Sequence, residues 1–209
     1  VCSSDLPTSK LGKITKTSPY GTVERPFNPG ELVIGAHGTF FARSIDAEVN
    51  LTTECMVAAS KHDGLSVIEV LVNCMIFNNG THKAFAGDKE VRAEHTITLR
   101  QGEKMLFGKN MDKGLMLDNM KLKVVTVGEN GVTLDDILVH DAHEKDTMVH
   151  VMLASMKYPD FPVALGIIRD VAEPTYEREV ARQIAEVQAT AKIKNVDDLL
   201  NSGETWEVE

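Results

Sequence analysis

The sequence is short of cysteine, with only Cys2, Cys55 and Cys74 in 209 residues. An odd number, widely spaced and without a Cys-x-x-Cys pair, gives neither a disulfide framework nor a closed zinc site. Long apolar runs are missing as well. None approaches the roughly 18–20 residues that span a bilayer, and no basic-then-apolar opening resembles a secretory signal. Excess positive charge is absent too. The formal net charge is −9, which works against nonspecific binding to nucleic acid or to an anionic membrane. The Gly-x-Gly-x-x-Gly fingerprint, the Walker loop and the Gly-x-Ser-x-Gly elbow do not occur, nor does an internal repeat or a low-complexity tract. What is present is an ordinary globular composition, 43% apolar and 25% charged, for which a cytoplasmic location is the expectation.

The opening stretch, down to PTSKLGKITKTSPYGTVERPFNPG, is turn-rich and polar. About thirty residues of loop are an uncommon way to begin a compact domain, so the chain is expected to be the C-terminal part of something longer. Order begins at Asn28 and Pro29, which can cap and start a short helix over Gly30 to Ile34. Thr39 to Arg43 is strand-like. Leu51 to Ser60 reads as a helix with Leu51, Cys55, Ala58 and Ala59 on one stripe. Ser66 to Val72 reads as a strand whose apolar residues do not alternate, as expected of a parallel strand buried on both faces. This alternation of helices and strands predicts an α/β sheet.

After Asn78 the pattern changes. Thr81 to Glu94 is polar and reads as a surface excursion or the start of a new module. Lys113 to Leu117 and Lys121 to Val127 form a predicted hairpin about Asp118-Asn119. Thr133 to Asp136 carries a capping-box pattern. Thr147 to Met156 is predicted helical, Val163 to Arg169 a strand. Tyr176 to Ala191 is a helix with Tyr176, Val180, Ile184, Val187 and Ala191 in a stripe. Asn195 can cap a last short helix.

Few residues offer chemistry. Cys74 follows a predicted strand at its carboxyl end, where open α/β sheets bind ligands. Read locally, it is either a small buried hydrophobe or a ligand to a group whose other ligands lie elsewhere, since one thiolate cannot hold a metal alone. Cys55 lies on an apolar stripe and is expected in the core. His140-Asp141-Ala142-His143 offers two imidazoles and a carboxylate, which read either as a zinc site or as solvated loop residues, the second being the expectation. Glu69 is a lone acid in an apolar strand, facing either a low-dielectric interior or a polar gap between helices.

Several stretches together resemble the second half of the β subunit of 2-oxoacid:ferredoxin oxidoreductases, the 2-oxoglutarate type most closely. They are KITKTSPYG, NPGELVIGAHGTFFARSID, KHDGLSVIEVLVNCMIFN, GEKMLFGKNMDKGLMLDN, VVTVGENGVTLDDILVHD, MKYPDFPVALGIIRDV with PTYE, and DDLLNSGETWEV, in that order along the chain. The resemblance runs from about Pro7 to the end. It implies that residues 1–78 are the C-terminal portion of a thiamine-diphosphate-binding parallel sheet domain and that 79–209 form an α+β C-terminal extension. It implies oxidative decarboxylation of a 2-oxoacid to acyl-coenzyme A, with thiamine diphosphate and magnesium as cofactors. Electrons would leave through a four-iron, four-sulfur (4Fe-4S) cluster to ferredoxin. Cys74 occupies the position of the fourth cluster ligand. The family's other three ligands, two of them in a Cys-x-x-Cys, lie in its N-terminal half.

The chain departs from the family pattern before Pro7. The Gly-Asp-Gly and Asn loop that holds magnesium and diphosphate in the family is not in this sequence, and VCSSDL, which does not fit the family pattern at that point, reads as a foreign junction or a sequencing scar. The fragment alone is therefore expected to be inactive. Thr8 and Ser9 would follow the cofactor loop closely and are expected near thiamine diphosphate. The implied partners are the α subunit, ferredoxin, the 2-oxoacid and coenzyme A, with Tyr176 to Ala191 and the Trp206 tail as candidate subunit contacts. Alternatives are a pyruvate or branched-chain 2-oxoacid enzyme, a non-catalytic α/β subunit, and an unrelated α/β binding domain without metal.

Overall fold

Strand β1 (Phe40–Ile45) is buried at all six positions in the computed structural model, which describes residues 10–15, 18–75 and 79–206. Successive side chains of a strand point to opposite faces, so a run such as FFARSI needs cover on both. Phe41 joins one core with Ile34, Leu153, Ala154 and Ile168. Phe40, Ala42 and Ile45 join another with Leu51, Cys55 and Leu165. Each buried Phe contributes about 1.5–3 kcal/mol by leaving water.

The helices on either face follow from local signals. α1 (Pro29–Gly35) begins at Asn28, whose side chain accepts from the Gly30 N–H, with Pro29 in the first turn. A Cβ on Gly30 would lie 2.6 Å from the Phe41 ring, so a bare backbone here lets α1 approach β1 closely. α2 (Val49–Lys61) buries Leu51 and Cys55, two residues of the stripe visible in the sequence. β2 (Ser66–Leu71) follows and pairs parallel with β1.

Two short helices come next, α3 (Lys83–Ala86) and α4 (Lys89–His95). Asp88 caps α4 by accepting from the Val91 N–H. The stretch expected as a surface excursion is thus partly helical, and it leads into β3 (Thr96–Leu99). β4 (Leu106–Phe107), β5 (Lys113–Asp118) and β6 (Lys121–Thr126) make a separate three-stranded antiparallel sheet. The β5–β6 turn places Asn119 and Met120 at φ of 48° and 63°, the left-handed pair that matches strand twist in a two-residue hairpin. A 3-10 turn covers Leu134–Asp136, and Asp136 accepts from the Thr133 N–H as a capping box requires. α5 (Met148–Ser155) and β7 (Val163–Asp170) complete this unit, Val1–Ala172.

The four-stranded sheet has the order β2-β1-β7-β3. The β1–β2 and β3–β7 pairs are parallel, and β7 runs antiparallel to β1. The α/β class is as expected, but the sheet is mixed rather than wholly parallel. β2 is half-buried along its length and lies at the sheet's edge, so the strand read as covered on both faces is not. That description belongs to its neighbour, β1. Gly166 on β7 has φ of +97°, and a Cβ there would lie 2.5 Å from the Leu99 carbonyl oxygen. Only glycine suits both the backbone angle and that approach to β3.

The second unit, Glu173–Glu209, holds α6 (Tyr176–Thr190) and α7 (Val196–Leu200), with no buried residue in either. Thr175 caps α6 and Asn195 caps α7. Arg182 bridges Glu179 and Glu186 along α6, while Tyr176, Ile184 and Val187 are exposed. Among the described residues, no helix is long and apolar enough to cross a membrane.

Candidate functional site at the carboxyl ends of the first two strands

β1 and β2 end side by side. The Asp46 N–H, just past β1, donates to the Leu71 carbonyl of β2 at 3.1 Å. The Asp46 carboxylate then accepts from the Asn73 N–H at 2.9 Å. Cys74 comes next, half-buried, three residues after the last strand residue. Asn73 also ties the far side of this turn. Its Oδ1 accepts from the Gly80 N–H at 2.8 Å, and its Nδ2 donates to Asn79 Oδ1 at 3.1 Å. His82 follows, half-buried. Burial pushes its pKa below the ordinary value, and the Asp46 and Glu69 carboxylates pull it back up.

Glu69 meets a charged partner. Its Oε2 lies 2.6 Å from Nε of Arg43, its register partner on β1. Arg43 also donates to Asn28 Oδ1 at 3.3 Å and to the Ala154 carbonyl at 3.1 Å. The guanidinium therefore joins β1, β2, the α1 cap and the end of α5. Sequence reading missed Arg43, although a lone basic residue in FFARSI is the natural counterpart of a lone acid in SVIEVL.

The expected ligands are now located. Cys74 lies at a strand's carboxyl end, as read. Cys55 is fully buried under α2, where desolvation raises its thiol pKa; an inert core thiol is the result. Thr8, Ser9 and Cys2 lie outside the described residues. Among the described residues, no group of three or more His, Cys, Asp or Glu is arranged to hold a metal ion. Iron–sulfur clusters take four ligands, mostly thiolates. Cys74 suits one of the four, carried on a turn at the end of a strand, and the described residues do not supply the rest.

The histidines gather at the other end of the sheet. His140 is 1% exposed, so the expectation of a solvated side chain fails. Its Nε2–H donates to the Ile167 carbonyl at 2.8 Å, leaving Nδ1 as a buried acceptor without a hydrogen-bond partner. His150 donates from Nε2 to the Asp141 carbonyl and accepts at Nδ1 from Arg169. His143 is exposed. Burial lowers the pKa of both His140 and His150. They are neutral packing groups that lock the 140–150 segment onto β7. A cavity of about 210 Å³ beside them is lined by Leu51, Cys55, Gln101, His143, Gly166 and Asp170, among others. His62 spans the gap from Asp170 (2.8 Å) to Thr39 (2.9 Å) and fastens the end of α2 to β7 and to the residue before β1.

No family model matches the sequence. The chain is 34% identical over 206 residues to the 2-oxoglutarate oxidoreductase subunit KorB of Mycobacterium tuberculosis, covering 97% of this chain and 54% of that one. It is 41% identical over 68 residues to the 2-oxoglutarate synthase subunit KorB of Archaeoglobus fulgidus, covering 32% of this chain and 26% of that one. Among solved structures, the 2-oxoglutarate:ferredoxin oxidoreductase from Magnetococcus marinus, with 2-oxoglutarate, coenzyme A and succinyl-CoA bound, shares the fold. The TM-score is 0.56 at 14% identity, covering 95% of this chain and 52% of that one. The chain thus spans about half the length of the mycobacterial relative, and along 97% of its own length it is similar to that 2-oxoglutarate oxidoreductase subunit.

Proposed function

We propose that the chain serves as part of the β subunit of a 2-oxoglutarate:ferredoxin oxidoreductase and that Cys74 gives one thiolate to its 4Fe-4S cluster. The observation that carries this reading is similarity to a 2-oxoglutarate oxidoreductase subunit along 97% of the chain. Cys74, half-buried on a turn at the end of a strand, agrees with it. Residues 1–78 complete the thiamine-diphosphate side of the subunit and 79–209 form its extension, the two sharing one sheet through β3 and β7. The same reading gives Thr8 and Ser9, which lie outside the described residues, a role beside thiamine diphosphate, and assigns magnesium to the part of the subunit that carries the Gly-Asp-Gly loop.

When bound, thiamine diphosphate supplies the electron sink for decarboxylation and the cluster a one-electron path to ferredoxin. This chain's own contribution is positional. A sheet with two packed faces fixes where the Cys74 turn sits, and the buried Arg43–Glu69 pair ties the two strands that carry it. The α subunit, ferredoxin, the 2-oxoacid and coenzyme A are the partners, in the cytoplasm.

The test is Cys74→Ser in the intact complex, purified without air. The expected result is loss of the cluster's electron paramagnetic resonance signal and of ferredoxin reduction, with decarboxylation partly retained. Full ferredoxin reduction with an unchanged cluster spectrum overturns the assignment.

A further inference from the structure

We propose that α6 pairs with the α6 of a second copy of this chain, the two helices running antiparallel about a twofold axis near Ile184. The unit Glu173–Glu209 buries no residue in either of its helices. A lone helix of this length is marginal in water, and α6 carries an apolar stripe that it does not bury. Tyr176, Ile184 and Val187 are 81%, 51% and 61% exposed, and the helical period sets Val180 among them. With 3.6 residues per turn, Ala181, Gln183 and Gln188 flank that stripe, and Glu177 in the first turn is its one charge. The remaining charges of α6 fall on the opposite side, where Arg182 bridges Glu179 and Glu186.

The charge pattern decides the occupant. A net charge of −9 sets copies of the chain against one another, so a face on which two of them meet has to be uncharged or self-matched. The stripe is uncharged apart from Glu177, and antiparallel pairing matches that residue. It sets Glu177 of one copy beside Lys192 of the other, exposed just past the helix end, and the twofold axis repeats the pair. The same register interleaves the stripes, with Val187 of one copy between Val180 and Ile184 of the other. Parallel pairing brings Glu177 against Glu177 instead. A helix of 15 residues offers a small interface, so the pairing is weak and reversible.

The experiment sediments the full chain from about 5 to about 200 µM, a range that suits an interface of this size. The parent is expected to move from one copy toward two as concentration rises. Ile184→Glu with Val187→Glu is expected to weaken that association at least about tenfold. Both side chains are exposed, so no core is disturbed, and far-UV circular dichroism checks that the helix stands. Glu177→Lys alone and Lys192→Glu alone are each expected to weaken the association, and the two together to restore it. A parent that stays single across the whole range overturns the proposal. So does a double glutamate variant that pairs as the parent does, since the contact then lies on another surface. Paired charge swaps that fail to restore association overturn the antiparallel arrangement. If the double glutamate variant loses co-purification with the α subunit while the parent stays single, the stripe belongs to that subunit and the proposal falls.

Discussion

Arg43 and Glu69 sit opposite one another across the β1–β2 register and join at 2.6 Å, with side chains 6% and 18% exposed. Charges this well withdrawn from water need each other. Removing one leaves the other buried without compensation, which costs more than the pair itself contributes.

Glu69→Ala is therefore expected to destabilise the protein by about 3 kcal/mol, read from the midpoint of urea unfolding at constant slope. The double change Arg43→Met with Glu69→Leu should cost less than Glu69→Ala alone. A double variant weaker than the single one would mean that the contacts of Arg43 to Asn28 and Ala154, not the ion pair, dominate.

Asn28 joins several partners besides Arg43. It caps α1 at the Gly30 N–H and donates to the Ala154 carbonyl at 2.7 Å. Asn28→Ala is expected to cost about 1–2 kcal/mol, measured by thermal unfolding. Asn28→Ser, which can still cap, should recover part of the loss.

Acid should loosen the histidine end of the sheet. His140 and His150 both have pKa values held below the ordinary 6.5, chiefly by burial. The unfolded chain takes up these protons at a higher pH than the folded one does. Their contribution is thus fully present above about pH 6.5, declines as the pH falls below it, and is lost once the pH has passed the folded values. Unfolding midpoints at pH 7.5, 6.0 and 5.0 should show that decline, and His140→Gln should flatten it. An identical slope in the variant would assign the acid sensitivity to other groups.

Gly166→Ala tests the contact between β7 and β3. A methyl group there meets the Leu99 carbonyl, and the backbone angle disfavours any side chain. Strain of this kind costs on the order of 1–3 kcal/mol before the clash is counted, so the variant is expected to melt well below the parent. An unchanged melting temperature would show that the two strands can separate at that point without loss.

Much of this architecture was legible in the sequence, and the reasons are local. α2 announced itself through Leu51 and Cys55, and the β5–β6 hairpin through the polar turn between two apolar runs. The residues from Lys89 to Leu99 did not. α4 buries nothing, so it has no apolar stripe, and β3 is four residues long, too short for a period to show. His140 read as a solvated loop residue because its neighbours are polar. What buries it is the Ile167 carbonyl, supplied by a strand distant in sequence. The site was legible only in where Cys74 sits, at the end of a strand. It was not legible at Asp46 or Asn73, whose importance lies in pairings between two turns.

β7 is the last strand of the four-stranded sheet in sequence, yet it lies inside it, between β1 and β3. As the chain leaves the ribosome, β1 and β2 emerge roughly 120 and 100 residues before β7. At about 5–20 residues per second the wait is on the order of ten seconds. Throughout it, one edge of β1 and the apolar side chains that β7 will cover have no permanent partner. The nascent chain thus has a period of exposure written into its topology, during which chaperone capture and premature pairing with another strand compete with the correct ending.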